Sequence, residues 1–533
     1  MVCSPPPLSS DSDYITTCMH LETIPSTIIP EDRQPVKTME ATLTELMNYW
    51  RLILLTVVLG IGGSFQYGIQ VSIMASPSEH IQNFVNQTWM TRYEKPVSES
   101  TQKLIWSFIV SIFSLGGWLG AINSGTIPVI YGRKKCLLFN NVVAIVAAVL
   151  MGFSRMAGSF EMILLGRILY GYNVGLGLSV HLMYLGECSP KKLRGFLTLS
   201  SAIFIGLGKV MGQICGLREL MGTEPMWPYL LALSGLPAVV QFLSLLCFPE
   251  TPRYLYIDKG DEEGCKKALK VLWGNVETKP ELEDMAKERE TMKGEKAKSV
   301  WDVLTSRSVR WQLLTLVIPC GLVQLCGISA IYFYAFDIFR EAGVPEDQMH
   351  YLSIGIGTAE LVTVILCSFL IDRTGRKWLM SFGYLAMAVL MGILVVMLSL
   401  KDKYTWIPFF NIALIFSAIC VFGLGPAGVV MTLPADLFLQ AWRPSAYVIS
   451  GTCNWVGLFL IGMFFPYVAD AMGQFCFLIF VAYCVLSAVF MLVFIPETKG
   501  KTMVEIMEDF NKLNFKGREV DTEKADLVLA TKL

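Results

Sequence analysis

The sequence predicts an all-α membrane protein with twelve transmembrane helices, arranged as two pseudo-symmetric six-helix bundles with a short cytoplasmic helical segment between them. Three observations lead there. Of 533 residues, 53% are hydrophobic and only 16% charged, and the mean hydropathy is +0.52, a composition too apolar for a large soluble protein. Twelve apolar stretches of roughly 20 residues follow one another, the length a helix needs to cross a bilayer core of about 30 Å. Three charged motifs recur in one order, about 250 residues apart, which marks a duplicated unit. Gly132-Arg133-Lys134 returns as Gly375-Arg376-Lys377, Glu187 to Arg194 returns as Asp436 to Arg443, and Pro249-Glu250-Thr251 returns as Pro496-Glu497-Thr498.

Residues 1–45 are rich in Pro, Ser, Thr and Asp and hold too few apolar residues for a core, so they read as a disordered cytoplasmic tail. They lack the basic flank and apolar run of a cleaved signal peptide, and the first membrane helix is expected to direct insertion. Residues 46–248 carry six stretches, near 51–74, 104–128, 136–154, 161–186, 196–217 and 227–248. Residues 311–494 carry the other six, near 311–336, 350–370, 378–400, 407–432, 445–465 and 475–494. Between them, 249–310 alternates acidic and basic residues without a continuous apolar stripe and reads as short charged helices. The polar segment 495–533 is expected to be a cytoplasmic tail.

Clusters of Lys and Arg at 133–135, 191–194, 249–310 and 373–377 fall in alternate connections. By the positive-inside rule those connections and both termini are cytoplasmic. The opposite connections are short except 75–103, a loop carrying the N-glycosylation triplet Asn86-Gln87-Thr88 on the outer side. The terminal Thr531-Lys532-Leu533 fits a peptide captured in a PDZ-type groove.

The net charge of −1 gives no electrostatic reason to expect nucleic acid. The 14 cysteines lie mostly singly in apolar runs, without metal-ligand spacing, and read as small core residues; no metal or cofactor is expected. There is no phosphate-binding glycine loop for ATP hydrolysis and no grouping of nucleophile, base and orienting residue, so an enzyme is not expected. Solute movement would be powered by a gradient.

The duplicated motifs place Arg133, Arg194, Glu187 and Glu250 on one cytoplasmic rim and Arg376, Arg443, Asp436 and Glu497 on its counterpart. Unlike charges there can pair across the interface between the halves, making a gate of breakable ion pairs.

Together, Gly132-Arg133-Lys134, Gly186-Glu187 to Arg194-Gly195, Pro249-Glu250-Thr251-Pro252-Arg253, Asp372-Arg373-Thr374-Gly375-Arg376-Lys377 and Pro496-Glu497-Thr498-Lys499-Gly500 resemble the sugar porter signatures of the major facilitator superfamily. Within that family the chain is similar to the class II facilitated glucose and fructose transporters. The resemblance covers about 50–510 and implies two bundles rocking about a central site at the interface of the repeats. It implies a plasma-membrane uniporter for a hexose, fructose or glucose. Two transporting alternatives remain, a urate-like planar solute or a proton-coupled sugar symporter; a non-transporting nutrient sensor is a third. Proton-coupled sugar porters typically carry an acid in the first helix, and this one has none.

An uncharged sugar calls for neutral donors and acceptors and an aromatic face. Polar residues within apolar runs supply them: Gln66, Gln70, Gln213, Gln324, Ser329, Glu360, Asn454 and Trp455. Compared with the family pattern, Ala202 stands for a sugar-facing Gln, Glu360 for an Asn, Met431 for a Trp, Leu458 for an Asn and Ser329 for an Asn. Glu360 is costly at membrane depth unless protonated, paired or hydrated; it reads as an internal partner, a solute contact or a proton-coupling group. Pro319 and Gly327 interrupt the seventh stretch, and Gly423, Gly425, Pro426 and Gly428 the tenth, where bending is expected. Phe333 and Tyr334 just beyond Gly327 are candidates for an outer gate.

Overall fold

Every element among the described residues of the computed structural model is a helix, as apolar runs without water to satisfy the backbone require. The description covers residues 49–514, apart from 275–277, 293–298, 401–402, 431–432, 439–441 and 498–502. The tail 1–45 and the terminal Thr531-Lys532-Leu533 lie outside it.

The first half of the chain contributes α1 (Trp50–Gly62), α2 (Ser64–Ser72), α3 (Ser78–Tyr93), α4 (Glu99–Asn123), α5 (Arg133–Phe153), α6 (Glu161–Cys188), α7 (Lys191–Cys215) and α8 (Gly235–Leu245). The connecting segment holds α9 (Glu262–Trp273), α10 (Lys279–Met292) and α11 (Val300–Thr305). The second half contributes α12 (Arg310–Leu325), α13 (Ile328–Phe333), α14 (Glu346–Thr374), α15 (Arg376–Leu398), α16 (Ile407–Leu424), α17 (Arg443–Met472) and α18 (Phe477–Phe494), followed by α19 (Met503–Asn514). Among the described residues, ten stretches are long and apolar enough to cross a membrane; the last, Arg443–Phe494, runs through both α17 and α18, and Ser200–Cys215 is a shorter apolar helix.

Breaks fall where glycine and proline put them. Gly327 adopts a left-handed φ of 96° between α12 and α13, and α16 stops at Leu424 before Gly425-Pro426. Pro319, by contrast, lies inside a continuous α12. Helices approach closely where residues are small: a Cβ on Gly171 of α6 would stand 2.0 Å from the Phe113 carbonyl of α4.

Two connections differ from expectation. The stretch 75–103 is not a plain loop, because α3 occupies most of it, and the glycosylation triplet sits on that helix with Asn86 half-buried and Thr88 buried. The polar segment after 495 contains α19, whose Ile506 and Phe510 are buried. Asn514 at its end accepts from the Trp311 amide at 3.0 Å and donates to the Ser308 carbonyl at 2.6 Å. Its apolar residues recur at helical spacing within a charged background, a short amphipathic pattern that average polarity conceals.

The two halves touch along one side and at mid-depth. Lys103 of α4 pairs with Asp470 of α17. Deeper, Gly462 of α17 lies against Ser111 of α4, and Trp455 of α17 against Gly117 of α4. On the neighbouring seam, Arg218 donates to His350 at 3.1 Å, Tyr351 donates to Glu219 at 3.0 Å, and Gly206 of α7 lies against Leu361 of α14. Helix ends on this side border a polar cavity of about 720 Å³ lined from both halves, by His80, Gln102 and Arg218 and by Arg340, Glu346 and His350.

Candidate functional site

Where α7, α13 and α14 meet, a lysine and a glutamate are buried together. Lys209 Nζ donates to Glu360 Oε1 at 2.6 Å, with the two residues 7% and 5% exposed. Tyr332 of α13 donates its hydroxyl to the other carboxylate oxygen, and its ring lies 4.1 Å from the ammonium. Glu360, which the sequence required to be protonated, paired or hydrated, is thus paired, which is how a charge becomes tolerable within a membrane. One turn along α7, Gln213 points its amide at Gly357 of α14, and its Oε1 has no partner.

A second polar group lies between α12 and α17. Gln324 Nε2 donates to Asn454 Oδ1 at 2.6 Å, and Ser329 donates to Gln324 Oε1. Beside Asn454, the Trp455 ring meets Tyr67 of α2 edge-on at 5.8 Å and Phe113 of α4 at 5.6 Å. Gln66, fully buried on α2, has both amide atoms unpartnered, an arrangement that costs free energy unless a ligand or water completes it.

Gln70 is placed elsewhere. Its Nε2 donates to Ser234 at 2.8 Å and its Oε1 accepts from the fully buried Arg167 at 2.9 Å. The Arg167 guanidinium also donates to the carbonyls of Ile109 and Val110, and sits 4.6 Å from the Phe113 ring. Both ends of the Gln70 amide are therefore committed within the first half. Of the outer-gate candidates, Phe333 is buried, and Tyr334 donates to the Gly462 carbonyl at 2.5 Å and stacks at a tilt on Phe465.

At the opposite end, the contacts of Arg133 run within its own half and the connecting segment rather than across to the second half. Arg133 forks onto Glu187 at 2.8 and 3.0 Å and reaches Asp258 at 2.8 Å, with its guanidinium 4.7 Å from the Tyr254 ring. All these partners belong to the first half or to the segment after it. Glu250 accepts from the backbone amides of Arg133 and Lys134. In the second half Glu497 lies against Gly375, and Arg443 donates to the Phe438 carbonyl at 2.8 Å. Arg376, next in the chain after Gly375, is half-buried. The side chains of Arg194 and Asp436, like residue 431, fall outside the described residues.

Sequence reasoning missed Lys209, Tyr332, Tyr67, Arg167 and Asp258. Lys209 carried a legible signal: it is a cation inside an apolar stretch, four residues before Gln213 and hence on the same helical face.

Polar and charged side chains gathered between two halves of a chain whose apolar helices are long enough to cross a membrane fit a membrane transport protein. The family model for "Sugar (and other) transporter" matches residues 55–510. Facilitated glucose transporter member 11 of solute carrier family 2, from Homo sapiens, is 44% identical over 469 residues, covering 88% of this chain and 95% of that protein. Member 9 from Mus musculus is 40% identical, covering 87% and 86%, and member 5 from Equus caballus is 40% identical, covering 91% and 95%. Among solved structures, the proton:xylose symporter XylE bound to 6-bromo-6-deoxy-D-glucose shares the fold with a TM-score of 0.69 at 23% identity, covering 86% of this chain and 99% of that one. The chain belongs to the sugar transporter family.

Proposed function

We propose that this protein is a facilitative transporter that carries a hexose, fructose or glucose, across the plasma membrane by alternating access. The observation that supports it most is the polar set drawn from both halves at mid-depth, Gln66, Gln213, Gln324, Ser329, Glu360, Asn454 and Trp455, with two amides left incomplete. The family relationship supplies the class of solute. Counting Arg443–Phe494 as two crossings and Ser200–Cys215 as one gives twelve spans, six in 46–248 and six in 311–494, with 249–310 between them.

In this reading the 75–103 side faces outward and is closed, both termini are cytoplasmic and Asn86 is the glycosylation acceptor. Tyr334 seals the outer end with Phe333. The clusters at Arg133, Glu187, Arg194 and Glu250, and at Arg376, Asp436, Arg443 and Glu497, brace the inner rim of each half and release it in turn. Uniport rather than proton symport is favoured at Arg167, whose side-chain partner on the first membrane stretch is the neutral Gln70.

Purified protein in proteoliposomes tests this. Radiolabelled hexose should equilibrate to equal concentrations, saturably and without a proton gradient. Solute-driven internal acidification would instead make it a symporter.

A further inference from the structure

We propose that Lys209 and Glu360 together read the solute, selecting a neutral compound with two adjacent hydroxyls, one accepting from the ammonium while the next donates to the carboxylate. This rests on the transporter reading above and goes beyond it by naming the recognition element.

The geometry sets the requirement. Nζ and Oε1 stand 2.6 Å apart, about the separation of two hydrogen-bonded oxygens and of the hydroxyls of a gauche vicinal diol. The ammonium has three donors, and the pair uses one; the carboxylate keeps lone pairs after accepting from Lys209 and Tyr332. A diol can therefore lie along the edge of the ion pair without breaking it. Tyr332 is a positioning residue, fixing the carboxylate by its hydroxyl and the ammonium by its ring. Gln213, on the same face of α7 as Lys209, offers an unpartnered Oε1 at Gly357, one turn of α14 before Glu360, a further acceptor for a solute hydroxyl.

Charge decides against an anion. The pair is neutral as a unit, and a solute anion on Lys209 would strand the Glu360 carboxylate without its partner in a buried site. The pair also spans the halves, since α7 precedes the connecting segment and α14 follows it. A solute bridging both residues is held by both halves at once, which is what occlusion before a conformational change requires.

The test compares wild type with Lys209→Met, Glu360→Gln and the double Lys209→Met/Glu360→Gln variant, which removes both charges and so leaves neither stranded. Two readouts are used: thermal stabilisation of detergent-purified protein by solute, and uptake into proteoliposomes. The probes are the transported hexose, its full set of singly deoxygenated analogues, and urate as a planar anion. Wild type is expected to lose at least tenfold in apparent affinity for analogues lacking either hydroxyl of one adjacent pair. The single variants should lose hexose affinity at least tenfold, and the double variant should discriminate among the analogues by less than twofold. Wild-type discrimination surviving in the double variant, or urate stabilising wild type better than hexose, would overturn the proposal. Hexose binding without uptake would refute the transporter reading alone, because the stabilisation measurement still judges the pair.

Discussion

Glu250 closes the amino end of the helix that Arg133 begins: its Oε1 accepts the backbone amides of Arg133 and Lys134, each at 3.0 Å. The second half repeats the arrangement in outline. Gly132 and Gly375 precede α5 and α15 with φ of 96° and 92°, and a Cβ on either would meet its glutamate, 2.4 Å from Glu250 Oε2 and 2.9 Å from Glu497 Oε1. A positive φ and a carboxylate pressed on the Cα both require glycine, while a carboxylate at a helix N-terminus satisfies amides the helix cannot. The recurring motif thus sets a glutamate against the glycine that precedes the helix in both halves, and in the first half that glutamate caps the helix.

Removing the cap tests its weight. Glu250→Ala should destabilise the detergent-purified protein by about 1.5 to 3 kcal/mol, the range for hydrogen bonds to a charged group. A melting temperature within error of wild type would show that the cap is ornamental.

Arg133 is held differently, by two carboxylates and the Tyr254 ring. Arg133→Ala leaves Glu187 and Asp258 without their cation and should cost about 3 kcal/mol or more. Arg133→Lys should recover only part of the loss, because an ammonium lacks the planar fork that reaches both carboxylates. Equal stability of the Lys variant and wild type by thermal denaturation would contradict this geometry.

Gln70 and Gln324 looked alike in the sequence and should separate in experiment. Gln70→Leu strips partners from Arg167 and Ser234, lowering the melting temperature while hexose-induced stabilisation persists. Gln324→Leu breaks the Asn454 and Ser329 contacts and should lower kcat/KM about tenfold with a smaller change in melting temperature. Interchanged outcomes would move the solute to the Arg167 side of α2.

Contact between α4 and α17 should be transient if the halves rock. In a background stripped of reactive cysteines, cross-linking Lys103→Cys to Asp470→Cys should abolish exchange, and reduction should restore it. Undiminished transport by the cross-linked protein would show that this seam never opens.

Much of the fold was readable because membrane burial imposes length and charge rules that single residues reveal. Arg133, Glu187 and Glu250 were found through the duplication, but not the contacts Arg133 makes with Glu187 and Asp258 within its own half and the connecting segment, since sequence places charges on a rim without saying which side of an interface each faces. Asp258 and Tyr254, which complete the Arg133 site, lie in a segment whose charges alternate so freely that none stands out. Glu360 was singled out and Lys209 was overlooked, although both are charges within apolar stretches and only the pair makes sense. The α19 helix escaped because four or five apolar residues at helical spacing are outweighed by their charged neighbours.

Equilibrium exchange bears most directly on the central claim. With equal unlabelled hexose on both sides of a proteoliposome membrane, and no pH or voltage gradient, labelled hexose should enter saturably and faster than net uptake into empty vesicles. Its final concentration should match the outside and be unchanged by a protonophore. Accumulation above that level that a protonophore collapses, or no exchange by folded protein, would contradict the account.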